Sequence, residues 1–150
     1  MRVLIQEVLS SSVSIDGEVV SNIGRGELLL VGFTQGDDYL TMEKMAKKIM
    51  KARIFPDENG KTNLSLSQIG GEILLVSQFT LYGSLKEGNR PSFVNASRPD
   101  DARELYNQFV ALMKQEFPGL KTGVFQADMK VSLVNDGPFT LLLDSKELFQ

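Results

Sequence analysis

The sequence predicts an α+β fold: a single domain, residues 1–150, with a mixed or antiparallel β-sheet that curls towards a barrel and with two main helices. The predicted elements run in the order strands, helix, strand, helix, strands, which is typical of this class. A length of 150 residues suits one domain. No internal repeat, low-complexity tract or long linker divides the chain.

The first third of the chain is rich in strand signals. Short apolar or β-branched runs cover Val3–Leu9, Ser12–Ile15 and Glu18–Val20. An Asp-Gly pair joins the last two runs and predicts a tight hairpin, because a type I′ turn needs positive φ at both central positions. Glu27–Phe33 shows no alternation of apolar and polar residues, so we expect a central strand buried on both faces.

The first main helix is predicted to have Asp37 as its N-cap and to run for about 16 residues. Its apolar residues recur three and four apart and form one stripe: Met42, Met45, Ala46 and Ile49. Lysines with the same spacing form a second stripe: Lys44, Lys47, Lys48 and Lys51. The lysine stripe is either a solvated helix surface, which the helix dipole favours, or a patch that contacts phosphates.

The middle of the chain combines turns with buried elements. Pro, Asn and Gly cluster in residues 55–61 and predict a turn. Residues 71–81 begin as a buried strand and become polar at their end, and residues 82–97 are predicted to form a loop. Pro99 fits the first turn of the second main helix, which is expected to stop at Pro118.

Two closing strands are expected over residues 122–126 and 129–134. Asn135-Asp136-Gly137-Pro138 then predicts a turn into a last strand over residues 139–144. The alternative to a simple turn is a functional loop. A cis bond before Pro138 is possible, but residue spacing cannot reveal it.

The composition excludes the most common catalytic devices. The chain has no His and no Cys, so it forms no Ser-His-Asp triad, thiolate nucleophile, His- or Cys-ligated zinc site or disulfide. Adjacent carboxylates at turns and helix starts are explained better by capping and solvation than by metal binding: Asp37-Asp38, Asp57-Glu58 and Asp100-Asp101. We expect no metal and no cofactor, so catalysis must use hydroxyls, amides, carboxylates, lysines, backbone dipoles or the substrate itself.

The net charge and the lengths of the apolar runs limit which partners and which cellular location we expect. Sixteen basic and 19 acidic residues give a net charge of −3, which argues against a broadly basic nucleic-acid binder but not against contact with the end of a nucleic acid. Met1–Glu7 is predicted to be a strand rather than a signal peptide. The apolar run Leu28–Phe33 is far shorter than the roughly 20 residues that a membrane span needs. We therefore expect a cytoplasmic protein with no membrane association.

The strongest candidate site in the sequence lies where a buried strand ends in polar residues: Ser77, Gln78, Phe79 and Thr80. Active sites favour strand ends that feed loops. Hydroxyls and an amide there can hydrogen-bond a substrate carbonyl, and successive backbone N–H groups can stabilise an oxyanion. The alternative is that the polar side chains merely satisfy the backbone where the strand leaves the sheet.

Together these segments resemble the D-aminoacyl-tRNA deacylase (D-tyrosyl-tRNA deacylase) family over essentially the whole chain. Ser77-Gln78-Phe79-Thr80-Leu81 resembles the family's first active-site signature, and Asn135-Asp136-Gly137-Pro138-Phe139-Thr140 resembles its second, whose Gly-Pro bond is cis. Residues 1–6, 55–65 and 88–93 also match. The resemblance implies a homodimer that hydrolyses the ester between a D-amino acid and the 3′ end of tRNA, which is chiral proofreading in translation.

The resemblance implies a catalytic role for the first signature. Its residues would bind the terminal adenosine and the scissile carbonyl, with the backbone N–H groups of Phe79 and Thr80 as oxyanion donors. The 2′-hydroxyl of the adenosine would assist hydrolysis. An older alternative makes Thr80 a nucleophile, but a chain without His fits substrate assistance better.

The resemblance also implies how enantiomers are separated. Gly137 and Pro138 of one subunit would aim their carbonyl oxygens into the other subunit's pocket and leave no room for an L side chain. Achiral glycine would not be excluded, so some activity on glycyl-tRNA is expected. Met129, Phe125 and Gln6 would line the substrate site.

Three residues depart from the family pattern: Glu7 where Arg is usual, Gln126 where Gly is common, and Phe139 where Val is usual. Glu7 bears on how the Gly-Pro loop is held, and Phe139 on the shape of the pocket. Arg90, Lys86 and the lysine stripe are candidates for contacts to the acceptor stem. Two other functions stay open: a non-catalytic module that binds aminoacyl-tRNA ends, and an esterase for small D-amino acid esters.

Overall fold

The computed structural model describes residues 1–150. The strands are β1 (Arg2–Ile15), β2 (Glu18–Ile23), β3 (Gly26–Gly32), β4 (Phe55–Pro56), β5 (Thr62–Leu64), β6 (Glu72–Ser77), β7 (Lys121–Thr122) and β8 (Lys130–Asp144). The helices are α1 (Tyr39–Lys51), α2 (Leu66–Ile69), α3 (Pro99–Glu116) and α4 (Ser145–Phe149). A short 3-10 turn covers Phe79–Tyr82. The two long helices, α1 and α3, are the two main helices expected from the sequence.

The main sheet is mixed, and β1 is its organising strand. The path runs β2-β1-β3-β6-β7, with β8 paired along the other edge of β1. β1 pairs antiparallel with β2, β3 and β8, whereas β3–β6 and β6–β7 are parallel. Strands β4 and β5 form a separate two-stranded hairpin.

The two ends of the sheet path curl towards each other. The Ser21 hydroxyl on β2 donates to the carbonyl oxygen of Thr122 on β7 at 2.6 Å, and Lys121 Nζ donates to the carbonyl oxygen of Asn22 at 2.8 Å. These bonds connect strands that are four places apart in the path. The sheet is therefore nearly closed, as the sequence predicted.

The hydrophobic core lies between the sheet and the long helices. Its main cluster includes Ile5, Leu29 and Ile73 from the sheet and Met45 and Phe109 from α1 and α3. β3 is buried on both faces, which confirms the expectation drawn from its uninterrupted apolar run. Burial of apolar side chains on this scale is the main stabilising contribution to a domain of this size.

Several element boundaries differ from the predictions. The two strands expected at the N-terminus form one continuous 14-residue β1. Helix α1 has 13 residues and its N-cap is Asp38, whose side chain accepts from Thr41 N–H. Asp37 is not the cap, because it accepts instead from Thr34 N–H at 2.8 Å and from the Met1 amino group at 2.6 Å. The Asp-Gly hairpin is confirmed, with φ of 51° at Asp16 and 83° at Gly17.

The end of the chain differs most from the prediction. Residues 130–144 form a single strand, so the turn predicted at Asn135–Pro138 is wrong. On β1, Gln6 pairs with Thr140 and Val8 pairs with Asn135, which leaves Glu7 alone opposite the four residues Asp136–Phe139. This segment, called the bulge below, is an interruption within a strand rather than a chain reversal, because β1 pairs with β8 on both sides of it. The Gly137–Pro138 peptide bond is cis.

Candidate active site

The end of β6 leads directly into the 3-10 turn. Gln78 N–H still donates to the carbonyl oxygen of Val31 on β3 at 2.7 Å, so Gln78 is the last residue tied to the sheet. Within the turn, Leu81 N–H donates to the carbonyl oxygen of Gln78 at 3.3 Å. The N–H groups of Phe79 and Thr80 come before this first bond and have no acceptor inside the turn. The turn thus presents two successive backbone N–H donors at the end of β6.

A glycine on the neighbouring strand allows this geometry. A Cβ atom on Gly32 would lie 2.8 Å from the carbonyl oxygen of Gln78 and 3.2 Å from Cβ of Leu81. Real Cβ atoms are essentially never found so close to a backbone oxygen. Gly32 is therefore required for the close approach of the turn to β3.

The far end of the turn is held by the N-terminal arginine. Arg2 Nη1 donates to the carbonyl oxygen of Leu81 at 2.8 Å, and its Nε donates to Asp144 Oδ2 at 2.9 Å. The same guanidinium lies 4.6 Å from the centre of the Tyr82 ring. Although burial acts to raise it, hydrogen bonds from Arg2 and from Lys146 N–H lower the pKa of Asp144. The turn is thus fixed at both ends by partners outside it.

A cavity of about 730 Å³ opens beside the turn. Ser77, Gln78 and Phe79 form one wall, Phe125 and Met129 form another, and Val31 and Val76 of the sheet also line it. Phe79 is 55% exposed and its ring meets that of Phe93 edge to face, with centroids 5.0 Å apart. This volume is within the usual range for sites that bind small molecules or cofactors.

The Phe125–Met129 wall is held by α3. Arg103 places its guanidinium 4.9 Å from the centre of the Phe125 ring and donates to Gln126 Oε1. Met129 Sδ accepts from Val124 N–H at 3.4 Å. Gln126 has φ of 66°, a left-handed conformation that glycine adopts most easily. This explains why glycine suits that position, and the Arg103 contact compensates for a glutamine there.

The structure brings some of the residues predicted from sequence together and leaves others apart. Ser77, Gln78, Phe79, Phe125 and Met129 all line the cavity. Thr80 lies just outside it, where its hydroxyl accepts from Gln78 Nε2. Gln6, Gly137 and Pro138 do not line it.

The centre of the bulge is exposed and does not line the cavity. Gly137 and Pro138 are exposed, and Gly137 has φ of 121°, which side-chain-bearing residues rarely adopt. Asn135 Nδ2 donates to the carbonyl oxygens of Glu7 and Phe139, both at 2.9 Å, and so spans the bulge. Gln6 supports the same region through a 3.3 Å bond from its Nε2 to Thr140 Oγ1. Phe139 is half-buried and packs against the main core.

Sequence reasoning missed part of the cavity. The loop before α3 and the start of α3 contribute Phe93, Val94, Ser97, Arg98 and Ala102. Phe93 lies in a segment that matches the family pattern, and this match is the one signal in the sequence that points to it. No three Asp or Glu side chains come together as a metal-binding cluster. None of the helices has both the length and the apolar character required to cross a membrane.

The fold and the cavity define an α+β protein with a mixed, nearly closed sheet and a ligand-sized cleft at the end of a central strand. The family model described as D-Tyr-tRNA(Tyr) deacylase matches residues 4–144. The chain belongs to this family, and the resemblance seen in the sequence is confirmed.

Relatives with high sequence identity align with this chain over nearly its whole length. A protein of Lactobacillus acidophilus named D-aminoacyl-tRNA deacylase is 57% identical, covering 96% of this chain and 99% of the relative. One of Clostridium acetobutylicum with the same name is 50% identical, covering 99% and 100%. The names of these relatives describe a hydrolase that acts on an ester bond.

Solved structures support the fold. One of a protein named "c-Myc DNA Unwinding Element Binding Protein" has a TM-score of 0.91 at 38% identity, covering 96% of this chain and 98% of that one. A probable eukaryotic D-amino acid tRNA deacylase has a TM-score of 0.84 at 17% identity, covering 95% and 97%. The second likeness, at this identity, shows the shared fold alone.

Proposed function

We propose that the protein hydrolyses the ester between a D-amino acid and the terminal adenosine of tRNA, releasing the free amino acid and the tRNA. The observation that carries this proposal is the cavity in which Ser77, Gln78 and Phe79 meet Phe125 and Met129. These residues belong to segments that match the family, and relatives named for this activity are identical at about half of all positions over nearly the full length. A cytoplasmic site of action is part of the proposal.

The oxyanion donors are the backbone N–H groups of Phe79 and Thr80. Water attacks the ester carbonyl carbon, and the resulting oxyanion accepts hydrogen bonds from these two groups, which have no other acceptor in the turn. When the intermediate collapses, the bond to the ribose 3′ oxygen breaks and that oxygen takes up a proton. Because the turn is fixed by Gln78 and Arg2, the donors are in place before the substrate arrives.

The attacking water gives up a proton as it adds to the carbonyl, and this proton reaches the leaving 3′ oxygen through the substrate's own 2′-hydroxyl, which neighbours it. The chain contains no His or Cys, and the Thr80 hydroxyl is occupied by the amide of Gln78 rather than by a base. A hydroxyl without an adjacent base is a weak nucleophile at neutral pH. Thr80 therefore acts through its backbone N–H and not through its side chain.

The protein acts as a homodimer in which each bulge completes the other subunit's cavity. Gly137 and Pro138 are exposed and do not line the cavity of their own chain. Large apolar side chains on β2 and β8 are 37–62% exposed: Val19, Val20, Leu133, Val134, Leu141 and Leu142. Large apolar side chains left exposed in this number favour association. Gly137 and Pro138 then wall off the position of an L side chain but admit hydrogen, so glycyl-tRNA is also hydrolysed.

A second candidate is a module that binds nucleic acid without turnover. The solved structure at 38% identity belongs to a protein named for binding a DNA unwinding element, and this favours the second candidate. The net charge of −3 disfavours it, because duplex binders usually carry a large excess of Lys and Arg. A small D-amino acid esterase is the third alternative.

One set of rates separates these functions. Deacylation is measured with D-aminoacyl-tRNA, the matching L-aminoacyl-tRNA and the ethyl ester of the same D-amino acid. We expect fast release only from the D-aminoacyl-tRNA. Binding of all RNA substrates without release would support the non-catalytic module, and equal rates on the ethyl ester would support the esterase. Gly32→Ala, which distorts the turn, is the control for hydrolysis by trace contaminants.

A further inference from the structure

Two buried glutamates face each other beneath the bulge. Glu7 on β1 and Glu27 on β3 are register partners, so their side chains share the face that carries Ile5 and Leu29 of the core. Glu7 is 5% exposed and Glu27 is fully buried. Both carboxyl oxygens of Glu27 and Oε1 of Glu7 have no hydrogen-bond partner. Buried carboxyls in this state are stable only when most of their charge is removed by protonation.

The pair is connected to the bulge through Glu7. Glu7 is the single residue of β1 opposite Asp136–Phe139. Its carbonyl oxygen accepts from Asn135 Nδ2, and the same amide group donates to the carbonyl oxygen of Phe139 at the far end of the bulge. A displacement of Glu7 is therefore transmitted to both ends of the segment that carries Gly137 and Pro138.

The groups around the two glutamates provide little positive charge to stabilise the ionised carboxylates. Burial raises the pKa of Glu7 to about 7, the charge of Asp136 on β8 adds to the rise, and Arg25 before β3 partly offsets it. Burial and the neighbouring Glu7 raise the pKa of Glu27 to about 8. On β6 the residue beside Glu27 is the uncharged Ile73. Glu72, the next residue along, accepts from Gly24 N–H at 3.0 Å and lies 3.8 Å from Lys121 Nζ.

We propose that Glu27, acting through Glu7, is a positioning residue for the Gly137–Pro138 bulge and thereby determines how strictly the L enantiomer is excluded. The inference rests on the proposed function, because it assigns the bulge its role in that reaction. With both protons bound, Glu7 is neutral beside Asp136 and the bulge keeps the position seen here. Once the pair ionises, the Glu7 carboxylate is repelled by both Glu27 and Asp136, and the bulge shifts.

The direction of the pH effect follows from the raised pKa values. Protonated carboxyls hold the bulge in place below about pH 7, and this support is lost as the pH rises through 7 to 8. Exclusion of L substrates is therefore strongest at the acid end of this range. Neither glutamate touches the cavity, so the rate on D substrates depends much less on their ionisation.

The test measures the ratio of L to D deacylation from pH 6.0 to 8.5, corrected for spontaneous hydrolysis, in wild type, Glu7→Gln and Glu27→Gln. We expect the wild-type ratio to rise about tenfold. This factor corresponds to the same free-energy difference as a shift of one pKa unit. In Glu7→Gln the ratio should be flat, because the charge facing Asp136 is gone. In Glu27→Gln the ratio should still rise through about pH 7 as Glu7 ionises but should rise no further towards pH 8, because the second ionisation is absent. Glu18→Gln, an exposed glutamate on β2, is the matched control.

A second readout needs no tRNA. Backbone amide chemical shifts of Asp136, Gly137 and Phe139 should titrate between pH 6.0 and 8.5 in wild type, stay flat in Glu7→Gln and titrate only near pH 7 in Glu27→Gln. Selective deacylation with a pH-independent ratio and unchanging amide shifts would overturn the inference. Titrating amides in a protein that hydrolyses no aminoacyl-tRNA would instead refute the proposed function while supporting the coupling between the glutamates and the bulge.

Discussion

The turn at Phe79–Tyr82 and the bulge at Asp136–Phe139 carry the two signature motifs, and they are built in opposite ways. The turn is fixed within its own chain by Val31, Gly32 and Arg2, and it opens onto a cavity. The bulge is spanned by one amide, its Gly137 and Pro138 are exposed, and neither residue lines that cavity. The difference supports the proposal that the turn performs chemistry in one subunit, whereas the bulge acts on the other.

The largest expected effect comes from distorting the turn. In Gly32→Ala, the new methyl group meets the carbonyl oxygen of Gln78, and the turn must shift together with both proposed oxyanion donors. We expect kcat on D-aminoacyl-tRNA to fall about 100- to 1,000-fold, the usual loss when an oxyanion donor is removed. Single-turnover deacylation checks this, with circular dichroism as the control for folding. An active, well-folded Gly32→Ala protein would remove the turn from the mechanism.

Removing the substrate's 2′-hydroxyl tests the same turn from the RNA side. A D-aminoacyl-tRNA ending in 2′-deoxyadenosine should react about 100-fold more slowly, the lower range for loss of proton-transfer catalysis. Competition against the normal substrate shows whether binding is retained. Undiminished hydrolysis of the deoxy substrate would require a proton source on the protein.

Changing the bulge should alter selectivity rather than rate. Gly137→Ala places a side chain where φ is 121° and where the new Cβ lies 3.0 Å from Phe139 N, so the local backbone must shift. We expect L-aminoacyl-tRNA hydrolysis to rise about tenfold, equivalent to about 1.4 kcal/mol, with the D rate little changed. Rates on both enantiomers, with the mass of the dimer as control, check this. A proportional loss of both rates would indicate that the bulge contributes to folding rather than to selectivity.

The glutamates beneath the bulge give a stability prediction. Because burial raises the pKa of Glu27 to about 8, the folded protein binds more protons than the unfolded chain above about pH 4.5, and stability declines as the pH rises towards 8. Glu27→Leu removes the buried carboxyl group and should raise the free energy of unfolding by about 1–4 kcal/mol at pH 8.5. The gain should be much smaller at pH 5.5. Urea unfolding at both pH values measures it, and equal gains at the two would contradict the raised pKa.

The smallest effect is expected for the Thr80 side chain. Thr80→Ala keeps the backbone N–H and loses only the hydroxyl that pairs with Gln78. We expect less than about a threefold change in kcat, since an exposed hydrogen bond contributes about 0.5 kcal/mol, the lower end of the usual range. Near-complete loss of activity in a folded Thr80→Ala protein would restore the nucleophile mechanism.

The sequence predicted elements whose signal is local. The apolar run of β3 is enough to predict a strand buried on both faces, and the Asp-Gly pair is enough to predict a tight hairpin. Burial on both faces and positive φ each require particular residue types, which are visible in the sequence. The N-cap of α1 was misplaced by one residue. Asp37 and Asp38 are equivalent by capping preference, and only the folded chain shows that Asp37 is held by the Met1 amino group.

The site was predictable to a similar extent. A polar end on a buried strand identified Ser77, Gln78 and Phe79, but Phe93 comes from a separate loop that no local pattern linked to them. Asn135–Pro138 has turn chemistry, and pairing with β1 on both sides converts it into a bulge. The pairing of Glu7 with Glu27 depends on strand register, which the residues alone do not fix.

Mixed dimers test most directly whether turn and bulge act across subunits. Differently tagged Gly32→Ala and Gly137→Ala chains are coexpressed, and the heterodimer is isolated through both tags. One of its two sites combines an intact turn with an intact bulge from the partner, and the other carries both changes. We predict D-aminoacyl-tRNA hydrolysis at about half the wild-type rate per dimer, with the L enantiomer rejected as in wild type. Hydrolysis of the L substrate at half the rate of the Gly137→Ala homodimer would show that turn and bulge act within one chain, and would contradict the account.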